Sequence, residues 1–132
     1  MKNIAVIDYG MSNLHSVLKS FKKVINKDYK LSIAYSSKDI KVPHMGWNKV
    51  NQTYDHVLWQ NIPDKSFFYF VHSYYAKATC ETNILADSDY EINFTSAILK
   101  DNILACQFHP EKSSKYGLQL LSNFINWTEE LE

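Results

Sequence analysis

The stretch "NFTSAILKDNILACQFH", residues 93–109, predicts a β-hairpin. Its two apolar runs are separated by "KDN", and polar turn residues between two β-type runs mark a hairpin connection. Similar short runs precede it, separated by Pro, Asp and Asn turn signals: "NKVNQTY" (48–54), "SFFYFVHSYYAKA" (66–78) and "NILADSDY" (83–90). Residues 41–132 are therefore predicted to form a β-rich part.

The last segment, "SSKYGLQLLSNFINWTEELE" (113–132), predicts a helix that begins at a serine cap. Apolar residues recur along it at helical spacing, so one broad face is expected to be buried. That predicted face consists of Leu118, Leu121, Phe124 and Ile125.

The N-terminal part has a different character. "NIAVIDYG" (3–10) is an unbroken apolar run that ends at a glycine, which is typical of a strand covered on both faces in a parallel sheet. A helix follows, capped by Ser12 or Asn13, and then a second strand in "KLSIAYS" (30–36). The buried stripe of this helix is Leu14, Val17, Leu18, Phe21 and Val24. We expect a right-handed β-α-β unit within residues 1–40.

Composition excludes several classes of function. The 14 lysines balance 14 Asp plus Glu, and the chain contains no arginine, so neither nucleic-acid binding nor bidentate phosphate capture is favoured. Two cysteines form no disulfide framework, and no metal or cofactor site is indicated. No run is long enough to span a membrane, and we expect a cytoplasmic protein of one domain.

"CQFHPEKS" (106–113) holds the clearest candidate for chemistry. In an extended segment His109 and Glu111 project to the same side, so the carboxylate can orient the imidazole as a general base. A histidine at a strand end beside a solvated turn glutamate is the simpler alternative.

Neither cysteine is a good partner for this pair. Cys106 alternates to the strand face opposite His109 and is expected to be a small buried hydrophobe. Cys80, in "KATCETN", has no glycine elbow and no helix N-terminus beside it to activate the thiol.

Two aromatic segments can be interpreted as packing or as binding residues. In "VPHMGWN" (42–48), Gly46 suggests a tight bend, and Trp47 is either a core residue, which we favour, or an exposed anchor for a partner. Alternating aromatics in "FFYFVHSYY" (67–75) indicate packing, with His72, Ser73 and Tyr74 available to line a pocket.

The motifs "DYGMSNLHSV", "KVPHMGWNKV", "FYFVHSYY" and "ACQFHPEKS", in this order, resemble the glutaminase subunits of imidazole glycerol phosphate synthase. These are class I, triad-type glutamine amidotransferases. The resemblance implies an α/β, flavodoxin-like sheet, largely parallel, with flanking helices. It also implies glutamine as substrate, no cofactor, and, as partner, a cyclase barrel that receives the ammonia.

The resemblance assigns roles to individual residues. His109 and Glu111 would be the base and orienter of a Cys-His-Glu triad, and Ser73 and Tyr74 would lie against the bound glutamine. The face that meets the cyclase would include Gly10, Asn13, Trp47, Tyr69 and Lys112.

The chain departs from the family pattern between Ile40 and Lys41. The strand, glycine loop and G-x-C-L-G-M-Q elbow expected there are missing, so the domain is predicted to lack central strands, the nucleophile and the oxyanion donors. We expect residues 1–40 either to pair directly with residues 41–132 or to leave strand edges open. Three interpretations remain: an inactive glutaminase subunit, a non-catalytic cyclase-binding protein, and a paralogue that serves another ammonia-using synthase, such as one amidating surface sugars.

Overall fold

The computed structural model describes residues 32–34, 43–73 and 75–127. In this part of the chain there are seven strands and one α-helix, with the α-helix, α1, spanning Ser114–Asn126. The strands are β1 (Ser32–Ala34), β2 (His44–Gln52), β3 (Ser66–His72), β4 (Tyr75–Lys77), β5 (Ile84–Tyr90), β6 (Ile92–Lys100) and β7 (Ile103–Cys106). Short 3-10 turns lie at Val57–Trp59, Glu81–Asn83 and Pro110–Lys112.

The strands form a single sheet in the order β1-β4-β6-β5-β2-β3, with β7 also paired to β6. Every pairing among the described strands is antiparallel, so a largely parallel sheet was the wrong expectation for this part. For β5–β6 and β6–β7 the cause lies in the connections, because links of one and two residues permit only antiparallel neighbours, whereas parallel strands need a long crossover. The fold class, α/β with a helix beside the sheet, is confirmed.

The predicted hairpin is present as β6 and β7. Its register runs from Lys100 opposite Ile103 to Ala97 opposite Cys106. Asp101, in the connection, has φ 50°, a left-handed conformation that Asp accepts more readily than most residues.

Strand β2 begins at His44, four residues before the predicted run. Gly46 lies inside this strand opposite Phe70, so the predicted tight bend is wrong. Gly46 has φ 126°, which a side chain rarely adopts, and this explains the glycine without a bend.

The core lies on one face of the β2–β3 hairpin and beneath α1. The inward residues of the hairpin include Val50, Phe68 and Phe70, and Phe108 contacts both phenylalanine rings. The other buried hydrophobic residues of the described part are Leu58, Trp59, Ile62, Leu85, Ala86, Phe94, Ala97, Leu99 and Leu120.

Helix α1 buries a different face from the predicted one. Leu118 and Ile125 are 63% and 66% exposed, and Leu121 is also exposed, while Leu120 is buried and Phe124 packs against the core. Two neighbouring apolar stripes run along this helix, and the buried stripe contains Gly117, which adds no hydrophobicity to a sequence pattern.

The second predicted strand of the N-terminal unit is present as β1, within the predicted segment 30–36. It pairs antiparallel with β4, Ile33 opposite Ala76. The described residues of the N-terminal part therefore pair directly with the β-rich part, which is the first of the two expected outcomes. The rest of the predicted β-α-β unit lies outside the described residues.

Candidate functional site

His109 and Glu111 form a hydrogen-bonded pair in the turn that follows β7. Nδ1 of His109 lies 2.8 Å from Oε1 of Glu111. Because an ionised carboxylate only accepts hydrogen bonds, the neutral imidazole carries its proton on Nδ1 and leaves Nε2 as an acceptor. The His109 side chain is mostly covered, whereas Glu111 is exposed. This is the arrangement of a general base with an orienting carboxylate.

The two side chains meet by a route that the sequence did not predict. His109 is extended, but Pro110–Lys112 forms a 3-10 turn and not an extended segment. The Lys112 amide donates to the His109 carbonyl at 3.1 Å and closes this turn. The pair with Glu111 is thus made across a turn, in which Pro110 fixes the first φ.

The turn is attached to strand β3 at Tyr69. The His109 amide donates to the Tyr69 carbonyl at 2.9 Å, and the Tyr69 amide donates to Oγ of Ser113 at 2.9 Å. Oγ of Ser113 in turn donates to the His109 carbonyl at 2.6 Å. The backbone of the candidate base is therefore bound to a strand of the sheet.

Helix α1 supports the turn from the other side through Gly117. A Cβ atom at this position would lie 1.9 Å from the Pro110 carbonyl oxygen and 2.7 Å from Cβ of Ser113. Only a glycine lets the helix approach the turn this closely. The sequence shows the glycine, but not the contact that requires it.

Neither described cysteine is placed or activated as a nucleophile. Burial, together with the nearby charge of Glu111, raises the pKa of the Cys106 thiol from 9.0 to about 12, so this thiol stays protonated near neutral pH. Cys80 is exposed, and its Sγ lies 3.1 Å from Oγ1 of Thr82. The structure brings neither thiol into a hydrogen bond with His109 among the described contacts.

Trp47 and Tyr69 lie side by side on the outer surface of the β2–β3 hairpin. They are directly paired across the strands, with ring centroids 6.1 Å apart in an edge-to-face arrangement. Trp47 is 52% exposed, so the favoured expectation of a core tryptophan is wrong. Lys112 is exposed in the adjoining turn.

The same surface includes two hydrophobic residues that the sequence pattern did not single out. Met45 is 59% exposed and Phe67 is 50% exposed, and Nζ of Lys49 lies 5.8 Å from the centre of the Phe67 ring. Their spacing was the available signal, because residues two apart along a strand share a face with Trp47 and Tyr69. We call Met45, Trp47, Phe67 and Tyr69 the outer β2–β3 face.

The remaining predicted site residues are placed only in part. Ser73 is half-buried and directly follows β3, the strand to which the backbone of His109 is hydrogen-bonded. Gly10, Asn13 and Tyr74 lie outside the described residues.

A buried histidine pair was also missed by the sequence patterns. Nδ1 of His44 lies 2.8 Å from Nε2 of His72, on the inner side of the hairpin. Burial, and secondarily the charge of His72, lowers the pKa of His44 from 6.5 to about 4. His72 is buried in this pair, which fits the packing interpretation of its segment and not the alternative that it lines a pocket.

In the described ranges, no three His, Cys, Asp or Glu side chains are grouped so as to hold a metal ion. No α-helix in the same ranges is long and apolar enough to cross a membrane.

Comparison with protein families identifies the family of this chain. Residues 23–127 match the family described as glutamine amidotransferase class-I. The chain belongs to this family. The His109–Glu111 pair of this amidotransferase domain lies inside the matched region.

Two relatives indicate which members of this family the chain is similar to. The chain is similar to the HisH subunit of imidazole glycerol phosphate synthase from Nitrosomonas europaea, with 59% identity over 90 residues, which is 67% of this chain and 42% of that protein. The HisH subunit from Aromatoleum aromaticum is 51% identical over 95 residues, 72% of this chain and 45% of that protein. The amidotransferase chain thus spans less than half the length of these relatives.

A solved structure shows the same fold. It is a crystal structure of a protein from Thermoplasma acidophilum that is described as a GMP synthase subunit. The TM-score is 0.58 at 22% identity, and the match covers 73% of this chain and 47% of that one. The likeness supports the amidotransferase fold of the chain.

Proposed function

We propose that this chain is a glutaminase-type subunit of imidazole glycerol phosphate synthase in which His109 and Glu111 are the base and its orienter. The observation that carries the proposal is their 2.8 Å hydrogen bond, which leaves Nε2 of His109 able to take a proton. The high identity to HisH subunits supports the histidine pathway over a paralogous synthase. Glutamine is the proposed substrate, a cyclase (HisF-type) barrel the proposed partner, and the cytoplasm the proposed location.

The proposed reaction needs a group that these residues do not supply. In the family a cysteine thiolate attacks the side-chain amide of glutamine, ammonia leaves, and water hydrolyses the glutamyl thioester. His109 would accept the thiol proton at Nε2 and return it to the departing ammonia. With Cys106 held protonated and Cys80 exposed without a base beside it in the described contacts, no thioester is expected to form. Ser73 and Tyr74 are proposed to contact the glutamine.

An assay of the purified chain tests the catalytic part of this proposal. Added glutamine is expected to give no glutamate or ammonia above the rate without protein. Two variants are assayed in the same way: the double variant Cys80→Ala with Cys106→Ala, and His109→Ala. If the double variant still releases ammonia and His109→Ala does not, the nucleophile is a group other than the two cysteines. A control on heat-denatured protein removes the contribution of spontaneous deamidation.

We further propose that the nucleophile segment has been lost between Ile40 and Lys41. Reading the nucleotide sequence around codons 40 and 41 tests this directly. If an in-frame block encoding a glycine loop and a cysteine elbow is found there, the chain carrying that block is expected to hydrolyse glutamine.

A second function is favoured by the outer β2–β3 face. Trp47 is half-exposed beside Tyr69, and large aromatic residues on a rigid strand pair are the usual anchors of protein interfaces. The chain could therefore bind a cyclase barrel without supplying ammonia, with Lys112, Gly10 and Asn13 at the same contact. Co-purification with a cyclase subunit tests this, and failure to form any complex would reject it.

A further inference from the structure

The hydroxyl group of Ser113 has a role that helix capping does not explain. Ser113 is the N-cap residue of α1, where a serine side chain ordinarily accepts a hydrogen bond from the second or third helical amide. No such bond is made here. Its Oγ instead accepts from the Tyr69 amide and donates to the His109 carbonyl.

These contacts close a ring between β3 and the turn that carries the base. The Tyr69 carbonyl accepts from the His109 amide at 2.9 Å, the Tyr69 amide donates to Ser113 at 2.9 Å, and Ser113 donates to His109 at 2.6 Å. Both backbone groups of Tyr69 are thus used to hold His109. A Ser113 without its hydroxyl would leave the Tyr69 amide without this partner.

The ring is shielded from water. Ser113 is 1% exposed, and Gly117 of α1 presses against the same turn. Because water has no access to Ser113, a lost hydroxyl cannot easily be replaced by solvent. The hydrogen bonds of Ser113 are therefore expected to fix the turn more firmly than an exposed serine would.

We propose that Ser113 is a positioning residue, which sets the His109 imidazole against Glu111 by tying the turn to Tyr69. The inference rests on the proposed function, because only there does His109 act as a base. Ser113 touches no reacting atom and acts through His109. The ring of hydrogen bonds also links His109 to the outer β2–β3 face. The backbone of Tyr69 belongs to this ring of hydrogen bonds, and its side chain belongs to the outer β2–β3 face.

The test follows the tautomer of His109 by nitrogen-15 NMR in the full chain, with His109→Gln to assign its signals. In the unaltered chain the neutral imidazole of His109 is expected to carry its proton on Nδ1. In Ser113→Ala, the His109 imidazole is expected to become a mixture of the Nδ1–H and Nε2–H tautomers. Hydrogen exchange at the Tyr69 amide is expected to be about tenfold faster. Ser113→Thr keeps a hydroxyl and is expected to restore both readouts.

A matched control is Ser122→Ala, which removes an exposed serine hydroxyl from the same helix. It is expected to leave the His109 tautomer and the Tyr69 exchange rate unchanged. If Ser113→Ala retains the Nδ1–H signature and the exchange rate of the control, the inference is overturned. Should Ser113→Ala not fold, Ser113→Cys replaces it, and a fully retained signature with that weakly bonding thiol overturns the inference equally.

The experiment uses neither glutamine nor a cyclase, so its result is independent of the proposed function. Absence of a cyclase complex would reject the docking proposal and leave the role of Ser113 standing. An unchanged tautomer would reject the role of Ser113 and leave the proposed function standing.

Discussion

His44 and His72 share a 2.8 Å hydrogen bond between Nδ1 and Nε2 inside the β2–β3 hairpin. The His44 ring is stacked between Phe70 and Tyr90, with centroid distances of 4.9 and 3.9 Å. The other groups that face this ring are neutral: the Asn48 amide at 3.4 Å and the ring of Phe94. A proton added to His44 would therefore meet no compensating carboxylate among these neighbours, and the hairpin favours the neutral pair.

Because of this pair, we expect the folded protein to lose stability in mild acid. The pKa of His44 is lowered from 6.5 to about 4, so its contribution is complete above about pH 6.5 and is lost as the pH falls toward 4. Between pH 7.5 and 5, the free energy of unfolding should fall by roughly 2 kcal/mol through this group. Urea unfolding at the two pH values measures the difference.

His44→Gln is expected to remove most of that pH dependence. The pKa of His56 is also lowered by burial, so His56→Gln serves as the control that measures its separate share. The free energy of unfolding of His44→Gln is compared with that of the parent chain at the two pH values. If it falls as steeply between them as in the parent chain, His44 is not the titrating group.

Gly117→Ala is expected to destabilise the protein although alanine favours helices. The new Cβ would lie 1.9 Å from the Pro110 carbonyl oxygen, which is backbone and cannot rotate away. Overpacking of this kind costs about 1–3 kcal/mol, more than the gain of up to about 1 kcal/mol in helix propensity. Thermal unfolding measures the net effect.

Ser122→Ala is the matched control for Gly117→Ala, because it adds helix propensity at an exposed position of α1. It should be neutral or slightly stabilising. Equal melting temperatures for the two variants would show that α1 can move away from the turn without cost.

Sequence patterns predicted most of the described strands and placed His109 beside Glu111, but they did not predict the contacts that support this pair. Alternation and turn residues located β3, β5, β6 and β7, because one face of each strand is apolar and the turns are polar. The exposed position of Trp47 was not predicted, since an aromatic residue has the same pattern whether a core or a partner covers it.

The contacts that hold the site depend on tertiary structure and were missed for that reason. The hydrogen bond from Tyr69 to Ser113 joins residues 44 positions apart, and a serine before a helix looks like an ordinary cap. Likewise, a glycine in a helix gives no sign of which turn approaches it. Local patterns reveal neither partner.

Trp47→Ala is expected to weaken binding to a cyclase subunit while leaving the fold intact. The side chain is 52% exposed and packs edge-to-face on Tyr69, so its loss removes little of the core. Truncation of such an anchor costs about 2 kcal/mol or more, roughly a thirtyfold increase in Kd. Titration calorimetry with the purified cyclase measures this change.

Leu118→Ala is the control for the docking prediction. Leu118 is apolar and 63% exposed, but it lies on α1 and not on the outer β2–β3 face. Its Kd should match that of the parent chain. If Leu118→Ala binds the cyclase more weakly and Trp47→Ala does not, the interface lies on α1 and not on the outer β2–β3 face.

The two cysteines are expected to differ strongly in alkylation rate. Burial and the charge of Glu111 raise the pKa of Cys106 from 9.0 to about 12, and because only the thiolate reacts, this lowers its reactive fraction by about a thousandfold. Cys80 is exposed to reagent. Mass spectrometry after brief iodoacetamide treatment should find the label on the peptide containing Cys80, and Cys80→Ser should remove nearly all of it. Rapid labelling of Cys106 in the folded chain would contradict the raised pKa of its thiol, and would reopen the question of whether this thiol can serve the His109–Glu111 pair.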